Sequence, residues 1–231
     1  VSHQLALNIR LREGATFASY HADINQDAVH AINALAEAHG PPRQAYLWGG
    51  PATGKSHLLQ AVCHRASFQR RSSVYLPLAQ FDATQASVLD DLFDIEAICI
   101  DDIDVTVGHA AWELALFNAI NTARDASHCL VLASRDNPAH LTPDLPDLRS
   151  RLLWGPVFHL KPLDDAAKLD ALKARAKECG LELKDDAGRF LLNNCRRDLP
   201  SLFAALARLD RASLAAQRRV TIPFIKSVLD L

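Results

Sequence analysis

The sequence predicts an α/β fold, a parallel sheet flanked by helices on both faces, followed by a smaller unit built from helices alone. Three observations predict it. Short apolar runs alternate with helix-length amphipathic segments between residues 26 and 160, and that alternation requires crossover connections between parallel strands. A glycine-rich octapeptide, Gly49-Gly50-Pro51-Ala52-Thr53-Gly54-Lys55-Ser56, lies between one such run and a helical segment. Beyond Lys161-Pro162 every segment has helical spacing. The predicted divisions are a tail over 1–13, a core over 14–162 and a helical unit over 163–231.

In order, residues 1–13 alternate apolar residues at Leu5, Leu7, Ile9 and Leu11. This is either a loose tail or edge strand, or a linear peptide whose apolar side chains enter a partner's pocket. After Thr16-Phe17, a helix is expected over 26–39, with Ala28, Ile32, Leu35 and Ala38 on one face and Gly40-Pro41-Pro42 as its stop. The first strand, ending at Trp48, runs into the octapeptide. A helix to about residue 70, a strand over 73–77 and a loop with a short helix over 79–92 follow. The run from Ala97 to Asp101 reads as a buried strand. A helix over 110–127 is expected to set Leu114, Phe117 and Ile120 on one side, ahead of a strand from Cys129 that ends in Ser134. A turn-rich stretch, a short basic element over 147–152 and a strand over 157–160 complete the core. Helices are then predicted over 164–178, 185–194 and 198–216, and after Thr221, with Pro223 in the first turn.

The octapeptide is a P-loop, and its chemistry follows from its residues. Gly49 and Gly54 permit backbone angles that a Cβ resists, so successive N–H groups turn inward around phosphate oxygens at a helix N-terminus. Lys55 is placed to reach the terminal phosphates and Ser56 to ligate Mg²⁺. His57 completes the expected nucleotide-contacting set. The second half of the site is the strand end Asp101-Asp102, a Walker B pattern. Asp101 would hold the Mg²⁺ shell and Asp102 would orient an attacking water.

Composition bounds the remaining classes. The chain has 231 residues and a net charge of −2, so no global field draws it onto nucleic acid. There are 12 basic and 17 acidic residues through Lys161, and 13 and 10 after it. That makes the C-terminal part only slightly basic. Five widely spaced cysteines argue against a disulfide framework or a zinc site and read as core residues of a cytoplasmic protein. No run approaches the roughly 20 apolar residues of a membrane span, and no signal peptide is visible. Methionine is absent, so the N-terminus is either trimmed or translated from an alternative start codon.

A P-loop core followed by a small helical lid resembles the AAA+ ATPases, and within them the bacterial initiator DnaA and its shorter Hda-type relatives. The resemblance rests on Thr16-Phe17, the Walker pair, the run Asp147-Leu148-Arg149-Ser150-Arg151-Leu152-Leu153-Trp154-Gly155, and Asp210-Arg211-Ala212-Ser213 leading to Thr221-Ile222-Pro223-Phe224. It implies that Arg151 is an arginine finger acting in trans, with Arg149 the weaker candidate. It also implies that Arg197 is the sensor II arginine, with Arg196 one position away, and that Ser134 is sensor I, with Asp136 the alternative. Hda-type proteins begin with a clamp-binding peptide of the form Gln-Leu-x-Leu-Pro-Leu. Gln4, Leu5 and Leu7 match it, whereas Asn8 and Ile9 replace its last two residues.

The function this resemblance implies is regulatory. Bound to ADP or ATP, with ADP favoured, and tethered to the DNA-loaded sliding clamp, the protein would stimulate ATP hydrolysis by DnaA and so block re-initiation of replication. Because the sequence stops at Leu231, no origin-reading module for double-stranded DNA is expected. The alternative is a nucleic-acid-acting AAA+ ATPase, a helicase loader or truncated initiator, whose homo-oligomer grips single-stranded DNA. A metabolic P-loop kinase would need a substrate pocket that the helical unit does not suggest.

Overall fold

The computed structural model describes residues 11–12, 14–37, 43–216 and 219–231. Gln4, Leu5, Leu7 and Ile9, the expected clamp peptide, lie outside the described residues, as does Ala38. The chain divides into two compact units between Lys161 and Pro162.

The first unit is built on five parallel strands: β1 (Gln44–Trp48), β2 (Ser73–Pro77), β3 (Ala97–Asp101), β4 (Cys129–Ser134) and β5 (Val157–His159), in the order β2-β3-β4-β1-β5. β1 pairs with β4 from Gln44 opposite Leu130 to Trp48 opposite Ser134. Parallel pairing throughout puts all five strand C-termini on one edge. Alternate side chains enter two separate cores, as expected of strands covered on both faces. Tyr46, Ile98, Ile100, Leu130 and Leu132 pack under α3 (Ala110–Asp125) and α4 (Pro146–Leu152). Leu47, Cys99, Val131 and Ala133 pack under α1 (Gln26–Glu37) and α2 (Lys55–Phe68).

The loop and short helix expected after β2 take the form of two 3₁₀ turns, Leu78–Gln80 and Ala86–Leu89. Two expectations need correction. The core face of α3 and one cysteine are the two. The core face of α3 is Trp112, Leu116, Ala119, Ile120 and Ala123, while Leu114 is 55% exposed. The apolar residues of α3 outnumber the places on its buried stripe, so spacing alone chose the wrong one. Cys63, Cys99 and Cys129 are buried, but Cys179 is exposed, because it caps α5 (Asp165–Glu178) at the surface.

The second unit is α5, α6 (Asp185–Asn194), α7 (Leu199–Ala216) and α8 (Ile222–Leu229), closed around Leu172, Leu191, Leu202, Leu209 and Ile225. Asp164 caps α5 by accepting from the Ala167 N–H, which satisfies a donor the helix itself leaves free.

Candidate functional site

The strand order brings the two halves of the site to one edge, with β4 between the strand that feeds the P-loop and the strand that ends in Asp101. The P-loop turns on positive φ angles at Gly49 (154°), Ala52 (59°) and Gly54 (94°). A Cβ at Gly49 would run into the Leu160 carbonyl, and one at Gly54 into the Tyr20 ring. Gly54 gives α2 no side-chain cap, so the first-turn N–H groups of the helix face the loop without intrahelical partners. The Thr53 hydroxyl donates to the Gly50 carbonyl at 3.0 Å, bracing the turn.

Lys55 is 8% exposed and folds over the loop, its Nζ donating to the Gly49 and Gly50 carbonyls at 2.6 and 2.9 Å. Burial lowers its pKa, while Asp101 and Asp102 pull it back up. Asp101 is 1% exposed. Its Oδ2 accepts from the Tyr75 hydroxyl at 3.0 Å and its Oδ1 from the Asp102 N–H at 3.0 Å. Burial raises the Tyr75 pKa, and Asp101 adds to the shift. Asp102 adopts a left-handed conformation (φ 57°). Burial raises its pKa first, and the neighbouring carboxylates of Asp101 and Asp104 add to the shift.

Ser134 is fully buried at the end of β4 and its Oγ donates to the Asp136 carbonyl at 2.5 Å. Both sensor I candidates therefore lie in one turn. The His57 ring is taken up by the segment before α1, with Nε2 donating to the Thr16 carbonyl at 2.8 Å and its edge against Tyr20. Burial lowers its pKa. In the second unit, Arg197 pairs with Asp165 at 3.3 Å and Arg196 with Asp198 at 3.4 Å.

Arg151 projects from the last turn of α4. Its guanidinium carbon lies 4.0 Å from the Trp154 ring centre and 5.3 Å from that of Phe117. The Arg124 guanidinium lies over the same indole at 3.7 Å. The Arg151 Nε is buried without a hydrogen-bond partner, and no carboxylate among the described residues pairs with the side chain.

Sequence reasoning missed three contributors. Tyr20 donates from its hydroxyl to the Thr53 carbonyl at 3.0 Å and covers Gly54. Tyr75 reaches Asp101 only because β2 and β3 are neighbours, a pairing no local pattern reveals. Glu113, 1% exposed, accepts from the backbone N–H groups of Gly108, Asp144 and Leu145 at 2.8, 3.1 and 2.8 Å. Its signal was available, since a glutamate amid Trp112, Leu116 and Ile120 calls for a buried partner.

A glycine-turned phosphate loop at the edge of a five-stranded parallel sheet, with paired carboxylates two strands away and a helical unit after it, defines a P-loop protein of the AAA+ class. Residues 11–159 match the family profile described as the bacterial DnaA ATPase domain. The chain belongs to that family. Residues 165–229 match a second profile, described as Hda, lid domain. Among solved structures, domain III of the Thermotoga maritima replication initiation protein DnaA superposes with a TM-score of 0.81 at 22% identity, covering 96% of this chain and 98% of that one. AMPPCP-bound DnaA from Aquifex aeolicus gives 0.74 at 22% identity, covering 86% and 66%. The Thermotoga maritima RuvB branch migration motor gives 0.67 at 16%, covering 90% and 68%. At these identities the structural likeness establishes the fold. No helix among the described residues is long and apolar enough to cross a membrane.

Proposed function

We propose that this DnaA-related AAA+ protein binds an adenine nucleotide, ADP in its resting form, and supplies Arg151 to the nucleotide site of ATP-bound DnaA, accelerating hydrolysis there. The observation that carries this reading is the condition of Arg151. An arginine tied to a carboxylate of its own chain would have to break that pair before engaging another anion. Arg151 is ordered by aromatic faces and its charge is unspent. Arg124 shares that state on the same indole, with no carboxylate partner among the described residues, and the run over 147–155 selects Arg151 between the two.

The fit of a nucleotide to the P-loop rests on this chain's own groups. The inward-turned loop and the uncapped first turn of α2 present N–H donors to phosphate oxygens. Lys55, which donates to two loop carbonyls, would transfer those bonds to phosphate. Ser56 and Asp101 are hard oxygen donors of the kind that suits Mg²⁺, which takes few protein ligands when phosphates supply the rest. Bound there, the cation would neutralise phosphate charge. Arg197 would report on the nucleotide from the lid, and Ser134 or Asp136 from β4.

The same reading assigns Gln4, Leu5, Leu7 and Ile9 to a pocket on the sliding clamp, which would concentrate the protein on replicated DNA. Asp102 retains a carboxylate suited to orienting water, so slow intrinsic hydrolysis belongs to the proposal as well. A homo-oligomer acting on single-stranded DNA is the competing reading, and the near-neutral charge gives it no support.

The test is ATP hydrolysis by DnaA with DNA-loaded clamp, adding wild type, Arg151→Ala or Gln4→Ala. Wild type should accelerate hydrolysis, and each variant should fail while remaining folded and nucleotide-bound. No acceleration by wild type with clamp and nucleotide bound would refute the proposal. Salt-dependent affinity for single-stranded DNA in that case would favour the competing reading.

A further inference from the structure

We infer that Trp154 is the positioning residue for Arg151, holding its guanidinium by cation–π stacking so that the charge is oriented in advance yet left unneutralised for an anion on the partner. The inference rests on the proposal that Arg151 acts in trans. Its basis is the geometry at the end of α4. The Arg151 guanidinium carbon is 4.0 Å from the indole centre, and Phe117 on α3 adds a second ring at 5.3 Å.

An arginine that must meet a phosphate faces two opposing demands. Left loose, it gives up rotamer entropy at the moment of docking. Tied to a carboxylate of its own chain, it must break an ion pair before it can engage. Stacking on an aromatic face meets both demands, because the ring quadrupole orients the cation without supplying a counter-charge. Arg151 shows both halves of that arrangement, two rings in contact and no carboxylate partner among the described residues.

The indole itself is well fixed. Arg124, from the last turn of α3, lies over it at 3.7 Å. Gly155, the next residue, packs so closely on β1 that an added Cβ would meet the Gln44 carbonyl. The Gln44 side chain in turn donates to the Arg151 carbonyl at 2.8 Å. The backbone on both sides of the ring is therefore anchored to the first strand of the sheet, and the ring itself is held by Arg124 of α3.

The experiment measures stimulated ATP hydrolysis by DnaA as a function of regulator concentration, for wild type, Arg151→Ala, Trp154→Leu and Trp154→Phe. Trp154→Leu should lower the maximal stimulated rate about three- to thirtyfold, the range that the energy of one cation–π contact implies. The half-saturating concentration and nucleotide affinity should stay near wild type under conditions in which each variant is fully folded. Trp154→Phe, which keeps a smaller ring face, should fall between the two. In the wild-type protein the Arg151 Nε–H resonance, assigned by its loss in Arg151→Lys, should be displaced by the indole ring current.

Full stimulation by Trp154→Leu while Arg151→Ala is inactive would overturn this inference and leave the finger intact. Full stimulation by Arg151→Ala would instead overturn the finger itself. If Trp154→Leu does not fold, Trp154→Phe at wild-type rate, or an undisplaced Arg151 resonance in wild type, overturns the positioning role.

Discussion

Replacing Glu113 by Gln should be among the most damaging single-atom changes in the first unit. The carboxylate receives three backbone N–H groups, Gly108 and Asp144 on Oε1 and Leu145 on Oε2, in a site that is 1% exposed. A glutamine keeps one acceptor. In its better orientation the carbonyl serves Gly108 and Asp144, and the amide then points its own donors at the Leu145 N–H. One charge-assisted bond worth roughly 1.5–3 kcal/mol is lost, a buried donor is orphaned at roughly 1–3 kcal/mol, and two bonds weaken from charged to neutral. Partial relaxation of the loop offsets some of this, leaving about 3–4 kcal/mol, near the upper tail for point substitutions. All three tryptophans, Trp48, Trp112 and Trp154, lie in the first unit. Urea denaturation followed by tryptophan fluorescence therefore reports on that unit alone. Because Leu145 immediately precedes α4, stimulation by Arg151 should fall as well. A loss below about 1 kcal/mol would refute the reasoning, since the three N–H groups would then have other ways to be satisfied.

Burial holds the His57 pKa below its ordinary 6.5, with Arg12 and His64 acting in the same direction and the Thr16 bond opposing. The unfolded chain then binds this proton more tightly than the folded one, so stability is complete above about pH 6.5 and falls as pH drops through the folded pKa. Denaturation midpoints between about pH 7.5 and 5.5 should decline less steeply for His57→Gln than for wild type, and equal slopes would contradict this. Tyr20→Phe removes the hydroxyl bond to the Thr53 carbonyl and should weaken ADP binding by about three- to tenfold in calorimetric titration; unchanged affinity would show that the P-loop holds its shape without it. Gly155→Ala drives a Cβ onto the backbone of Gln44, where no flexible side chain can yield, and should cost about 2–4 kcal/mol in the same urea assay; a loss under about 1 kcal/mol would mean β1 shifts easily.

Much of the candidate site was legible because its chemistry is local. The octapeptide encodes its own turn, since Gly49 and Gly54 stand where positive φ is needed, and Lys55 and Ser56 follow from being the first residues of the next helix. Asp101 and Asp102 were readable as polar residues closing an apolar run. Leu114 was misread because an amphipathic pattern with surplus apolar residues has more than one face that fits, and only the neighbouring elements choose between them. Tyr20 and Tyr75 were not legible in their roles, and for Glu113 only the need for a buried partner was, not which groups would meet it. Their partners lie 33, 26 and 31–32 residues away in sequence, apart from the nearby Gly108, and depend on which elements become neighbours.

By itself, then, the sequence determined the class: a phosphate-binding loop between strand and helix, parallel strands buried on both faces, and a helical unit whose composition changes at Lys161-Pro162. Those features arise from backbone preferences and periodicities that operate over a few residues. The tertiary structure decided the strand order, with β4 inserted between β1 and β3, because doubly buried apolar strands carry no pattern that names their neighbours. It also decided the condition of Arg151. A motif can place an arginine at the end of a short helix, but whether its charge is spent on a carboxylate or kept over an aromatic ring depends on what α3 and Trp154 bring beside it.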